Sequence, residues 1–331
     1  MKKALKIVGY IVIFLVVIVG GLIGYVKTAL PNVGPASELK VERTPERIER
    51  GKYLANNVTL CLNCHSERDW TKFAGPVVNG SLGKGGEEFD QKVGFPGAFY
   101  AKNITPEGIA RYTDGELYRI ITTGVNKEGK AIFPIMIYSH YGKMDPEDIY
   151  SIIAYIRTLP TIHNEVKPSI AEFPMNIIMN TIPVKATPGK RPEPSNIRAY
   201  GAYMVNATGC IECHTKDKHG QIIPELAFSG GREFQMPDGS ILRSANITSD
   251  ITTGIGSWTQ EAFVARFKSY ADSNYKSPTI SSGQFNTIMP WTSYAHMTDQ
   301  DLIAIYAYIH SIPPIQNSVV KFTPTSEVAK K

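Results

Sequence analysis

The chain repeats itself, and that repeat constrains its fold more than any other feature. Gly51-Lys52-Tyr53-Leu54 precedes Cys61-Leu62-Asn63-Cys64-His65, and Gly201-Ala202-Tyr203-Met204 precedes Cys210-Ile211-Glu212-Cys213-His214. Gly85-Gly86-Glu87-Glu88-Phe89 is answered by Gly230-Gly231-Arg232-Glu233-Phe234, and Asn103-Ile104-Thr105 by Asn246-Ile247-Thr248. MIYSHYGKMDPEDIYSIIAYIRTLP, from Met136, then lies without a gap over MPWTSYAHMTDQDLIAIYAYIHSIP, from Met289. Landmarks in the same order imply one domain type made twice, and the period is too long for a solenoid. The expected units are a first domain over 40–164, a Pro-rich linker over 165–194, a second domain over 195–318 and a flexible tail over 319–331.

Each copy has the same helical plan. A leading helix is expected after Thr44, with Pro45 at its first position, and its counterpart runs from about Asn196 to Asn206. Thr113-Asp114-Gly115-Glu116 fits a capping box for a middle helix, whose partner begins after Thr259. Closing helices are expected over about 146–158 and 299–311, capped by Asp145 and Thr298 and stopped by Pro160 and Pro313. Their apolar residues (Ile149, Ile152, Ile153, Ile156; Leu302, Ile305, Tyr306, Ile309) recur at helical spacing. Strand signals are weak, so the expected class is all-α with long loops. The linker's prolines favour an extended connector whose apolar centre, Phe173 to Ile182, lies against a domain.

At the amino terminus Lys2, Lys3 and Lys6 precede an uncharged run from Ile7 to Val26. About 20 residues at 1.5 Å each span about 30 Å, the thickness of a bilayer's hydrocarbon core. A cleavable leader has a shorter apolar stretch and a small-residue cleavage site. Residues 1–30 are therefore expected to be an uncleaved single-pass anchor in the cell inner membrane. The lysines would stay in the cytoplasm and the remainder would be exported to the periplasmic side. The net charge of +5 is scattered, with no basic stripe of the kind that binds nucleic acid.

All four cysteines fall in the two Cys-x-x-Cys-His motifs. This motif attaches c-type haem covalently: Cys61 with Cys64, and Cys210 with Cys213, would bind the vinyl groups, leaving His65 and His214 beneath the iron. A redox disulfide or a four-cysteine zinc site would leave both histidines unexplained. A six-coordinate iron needs a second axial ligand, commonly a methionine thioether. Two registered pairs are available, Met136 with Met289 and Met144 with Met297. Met144 and Met297 sit one residue before helix caps, where apolar residues pack back as staples. Met136 and Met289 lie in Pro-bearing loops and are the expected ligands. His140, His163, His219, His296 and His310 fall out of register and are expected to be satisfied polar or surface residues. Trp258 and Trp291 are expected to pack a haem pocket. Asn103 and Asn246 are expected to be turn-forming amides that bond a propionate or loop backbone.

These residues resemble the membrane-anchored multihaem cytochrome c subunits of bacterial alcohol, aldehyde and sugar-acid dehydrogenase complexes. The likeness rests on Cys-x-x-Cys-His, on Asn-Ile-Thr followed by Thr253-Gly254-Ile255-Gly256-Ser257-Trp258, on Met-Pro-Trp running into AIYAYIHSIPP, and on the linker EFPMNIIM. Relatives often carry three haem domains where two are expected here, and Ile137 stands where they usually have proline. The resemblance implies two haem groups with His/Met ligation, electron transfer without catalysis of its own, and respiratory or dehydrogenase partner subunits. A dihaem peroxidase is one alternative, disfavoured because two matched methionines leave no open iron position. A dihaem subunit of a haem-copper oxidase is another, separable by the partner that co-purifies.

Overall fold

The computed structural model describes residues 2–272, 274–281 and 283–328. The leading helices are Pro45–Tyr53, continued by a π-helical turn Leu54–Val58, and Ile197–Thr208. The middle helices are Asp114–Thr123 and Gln260–Lys268, and the closing helices Pro146–Ile156 and Asp299–His310. Their starts follow the sequence signals. Thr44 Oγ1 accepts from the Arg47 amide at 3.3 Å, and Thr113 and Glu116 form the reciprocal capping box. Asp145 and Thr298 cap the closing helices.

Within each half the leading helix crosses the closing helix at a glycine. A β-carbon on Gly51 would stand 1.8 Å from the Ser151 carbonyl oxygen, and one on Gly201 would stand 1.9 Å from that of Ala304. No other residue lets the two backbones approach this closely. Around the crossings Leu54, Val58, Ile149, Ile152 and Ile153 in the first half, and Met204, Leu302, Ile305 and Ile309 in the second, form one continuous buried cluster. Met144 and Met297, the staple methionines, are buried in it too.

The halves meet through a reciprocal arrangement of buried acids and tyrosines. The Tyr203 hydroxyl donates to Asp148 of the first half at 2.7 Å, and the Tyr53 hydroxyl donates to Asp301 of the second. Each tyrosine oxygen also accepts a backbone N–H at the other half's helix cap: Asp145 to Tyr203 at 3.2 Å and Thr298 to Tyr53 at 3.1 Å. Arg50 and Arg191 neutralise Asp148, while Tyr200 donates to Asp301 at 2.8 Å. Burial, reinforced by the adjacent carboxylates, raises Tyr53, Tyr200 and Tyr203 above the ordinary phenol value, which keeps them as donors.

The chain is mostly helical, as expected, and short antiparallel strands join the helices. In the first half Glu88–Phe89, Gly97–Tyr100 and Ile170–Ala171 form a three-stranded sheet, with Glu88 opposite Tyr100 and Gly97 opposite Ala171. In the second Glu233–Gln235, Ile241–Arg243 and Phe322–Thr323 do the same. Asp217–Lys218 and Gln221–Ile222 form a further hairpin. Strands of two to four residues carry too little alternation to register in the sequence. The third strand of each main sheet comes from the segment after the closing helix. The stretch expected to be a flexible tail therefore supplies Phe322–Thr323 and a terminal turn of helix, Thr325–Val328; its residues 329–331, like Met1 of the anchor segment, lie outside the described residues. The linker is likewise not wholly extended, since Met175–Ile178 form one helical turn followed by a 3-10 turn at Met179–Thr181. Lys2–Ala29 form a single apolar helix, long enough to cross a bilayer.

Gly201→Ala is expected to lower stability by about 3 kcal/mol through overpacking at the crossing, measured by denaturant unfolding. A loss of only about 0.5 kcal/mol, typical of a surface change, would mean that the crossing is not tight.

Candidate functional site

Each Cys-x-x-Cys-His motif is a short helical turn, Cys61–Cys64 and Cys210–His214, entered through a left-handed residue. That residue is Leu60 (φ +56°) in the first half and Gly209 (φ +66°) in the second. A β-carbon on Gly209 would stand 2.4 Å from Ile137 Cδ1 of the other half. The room a side chain would take at position 209 is thus filled by Ile137 from across the interface.

The imidazoles are oriented alike. His65 Nδ1 lies 2.7 Å from the Lys102 carbonyl oxygen and His214 Nδ1 lies 2.8 Å from that of Ala245. With Nδ1–H donating, the lone pair is left on Nε2, the arrangement that second-sphere bonds impose on metal-binding histidines. Desolvation holds both imidazoles below their ordinary pKa, so they stay neutral, as ligation requires.

The repeated landmarks converge on these bonds. The accepting carbonyls belong to the residues immediately before Asn103 and Asn246. Asn103 Oδ1 accepts from the Thr105 amide at 2.9 Å, and its Nδ2–H donates to the Ile162 carbonyl at 2.8 Å. Asn246 does the same with Thr248 at 2.9 Å and Ile315 at 2.8 Å. The asparagines therefore bond loop backbone, tying the turn to the chain that leaves the closing helix. Gly85 (φ +72°) and Gly230 (φ +73°) press on the same turns, with room for no β-carbon, and their amides donate to the His65 and His214 carbonyls at 2.8 and 2.7 Å. The sequence pointed to the asparagines as turn-forming amides, whereas the two glycine pairs stood in it only as repetition.

Buried tyrosines brace the cysteine ends. The Tyr141 hydroxyl donates to the Thr59 carbonyl at 2.8 Å and that of Tyr294 to Thr208 at 2.9 Å. The same threonines bring Oγ1 to 3.3 Å from Cys61 Sγ and 3.1 Å from Cys210 Sγ. The four cysteines are free thiols in the structure. Burial pushes Cys61 up to about 11 and raises Cys64 and Cys210. Among the described residues no three His, Cys, Asp or Glu side chains gather into a metal centre, so the zinc alternative has no geometry.

Met136 and Met289 are half-buried against the core, each with its carbonyl accepting from the amide two residues on, at 2.7 and 2.8 Å. Met144 and Met297 are at most 1% exposed, held as packing residues. Trp291 stacks on Tyr270 and lies beneath Arg266, whereas Trp258 is 37% exposed and faces solvent more than a packing residue would. His140 is satisfied by Asn206 and Glu212 of the second half, at 3.0 and 2.8 Å. The donor set fits a haem with acidic edge groups. On the facing middle helix and Tyr138–Tyr141 turn of the first half, Arg119 Nε and the Tyr138 hydroxyl are buried without any partner among the described residues. Anionic oxygens would complete them.

Residues 199–313, which contain the second Cys-x-x-Cys-His turn, match the family model described as cytochrome c. The chain is similar to the cytochrome c subunit of the quinone-dependent alcohol dehydrogenase of Gluconacetobacter polyoxogenes, with 26% identity over 83% of this chain and 58% of the relative. It is also similar to the gluconate 2-dehydrogenase cytochrome c subunit of Pantoea cypripedii, at 26% over 86% of this chain and 63% of the relative. A diheme cytochrome c-type protein of Cereibacter sphaeroides is 27% identical over 77% of this chain and 83% of its own length. The chain spans less than two thirds of the length of the two dehydrogenase subunits.

Asn246→Ala removes the side-chain acceptor of the Thr248 amide and the shorter of the two side-chain donors to the Ile315 carbonyl. Stability is expected to fall by about 1–3 kcal/mol in urea unfolding, and Asn103→Ala to act alike on the first half.

Proposed function

We propose that the chain is a membrane-anchored dihaem cytochrome c made of two tandem cytochrome c domains. It would pass electrons on the periplasmic side from a dehydrogenase or quinol-oxidising partner to a respiratory acceptor. The observation that carries this reading is the Nδ1–H to carbonyl bond made by both His65 and His214, which leaves Nε2 of the residue after each Cys-x-x-Cys pair free to bind a metal. Cys61, Cys64, Cys210 and Cys213 would hold the two groups covalently, with His65 and Met136 as axial ligands in one half and His214 and Met289 in the other. Bound haem supplies one-electron exchange at iron, at a potential raised by thioether ligation.

The chain's own residues keep those sites closed. The methionines occupy equivalent loops in both halves, so neither half keeps a position for a substrate, and this supports a carrier over a peroxidase. The buried tyrosines and the supporting turns hold the sites rigid, which limits rearrangement when charge changes. The apolar helix Lys2–Ala29 supports attachment to a membrane, and the names of the similar proteins support assembly with a dehydrogenase.

Denaturing electrophoresis with haem staining should leave pigment on the polypeptide, and its intact mass should exceed the sequence mass by two haem groups. Pigment released by acid acetone would overturn the assignment. Met289→Ala should abolish the near-infrared sulfur-to-iron band of the second site. Met297→Ala should keep that band while costing about 2–5 kcal/mol of stability as a core truncation. An exchange of these outcomes would make Met297 the ligand.

A further inference from the structure

The linker carries apolar surface beside the anchor helix. Phe173 is 77% exposed and Ile178 is 43% exposed, in a segment expected to cover its apolar residues against a domain. The helical turn Met175–Ile178 and the 3-10 turn Met179–Thr181 pack instead against the helix Lys2–Ala29. Within the last two turns of that helix Ile23 and Val26 are only half-exposed, while the stretch from Tyr10 to Leu22 is exposed throughout; this locates the contact at its C-terminal end.

Depth identifies what covers the linker. The uncharged run Ile7 to Val26 spans about 30 Å, the hydrocarbon thickness of a bilayer. Ile23 to Val26 therefore occupy the outermost ~5 Å of that span, and Lys27 follows at the level of the headgroups. An element resting on Ile23 and Val26 lies at the boundary between acyl chains and headgroups, where apolar faces of interfacial segments insert about 5–10 Å. We infer that the linker around Phe173 and Ile178 is a second membrane contact, seated in the lipid interface next to the anchor. This rests on the reading of Lys2–Ala29 as membrane-spanning. An anchor alone leaves the rest of the chain free to swing about one point; a second contact, placed between the two halves, sets their tilt and height above the membrane.

The test uses the full-length protein in phosphatidylcholine and phosphatidylglycerol vesicles. Phe173→Cys, Ile178→Cys, Val16→Cys and Glu225→Cys are each labelled with an environment-sensitive fluorophore, with the unsubstituted chain as the labelling blank. Quenching is compared between lipids brominated near the headgroup and lipids brominated near the acyl terminus. Labels at 173 and 178 should lose most of their emission to the shallow quencher and less to the deep one. The Val16 label should respond most to the deep quencher, and the Glu225 label to neither. A quenched Val16 label with labels at 173 and 178 behaving like that at 225 would overturn the inference and leave the anchor standing. An unquenched Val16 label would overturn the anchor reading, and this inference with it.

Discussion

Two helix crossings that leave no room for a β-carbon set the geometry on which the rest of the chain depends. At Gly51 and Gly201 the backbone of the leading helix lies against a carbonyl of the closing helix. The leading helix leads toward the first cysteine, and the closing helix follows the methionine-bearing loop after one short helical turn, Tyr138–Tyr141 or Trp291–Tyr294. The crossing aims Tyr53 and Tyr203 at the other half's buried aspartate. The same crossing thus builds a core and an interface. A buried carboxylate unpaired at that interface would be strongly destabilising. Asp148 has two arginines and a tyrosine, and Asp301 has two tyrosines.

Corresponding positions in the two halves carry different residues in matched pairs. Arg68 and Asp217 occupy the same position after their motifs, as Glu87 and Arg232 do after their glycine pairs. Arg68 pairs with Glu87 at 2.9 Å, and Arg232 with Asp217 at 3.6 Å, so the ion pair survives with its polarity reversed. Asn63 reaches Ser293 at 3.2 Å across the interface, and Glu212 in its place reaches His140 in the place of Ser293. These paired exchanges preserve contacts rather than residues. They explain why His140 has no counterpart among the histidines of the second half.

The proposed electron-transfer role depends on orientation more than on the presence of histidine. An imidazole free to turn would offer either nitrogen. A carbonyl held by the Asn-Ile-Thr turn removes that choice in both halves, and the glycine pair anchors the turn to the motif's own backbone. The residues without direct chemistry, Asn103, Asn246, Gly85 and Gly230, are therefore repeated for the sake of the ones that have it.

Much of this was legible from sequence. The helix starts at Thr44, Thr113, Asp145 and Thr298, and the stapling Met144 and Met297, follow from local signals: side-chain caps, proline stops and a period of 3.6. The Cys-x-x-Cys-His turns needed only adjacency. The tertiary structure decided what depends on distant groups. The strands at 170–171 and 322–323 exist because a neighbouring hairpin offers them hydrogen bonds, not because their own residues alternate. The carbonyl partners of His65 and His214 come from loops about 30 or more residues away. Ile137 meets Gly209 only in the packed chain. Sequence reports the conformation a residue prefers when its partners are near in the chain; which far segment supplies a missing donor, acceptor or volume is settled only when the chain is packed.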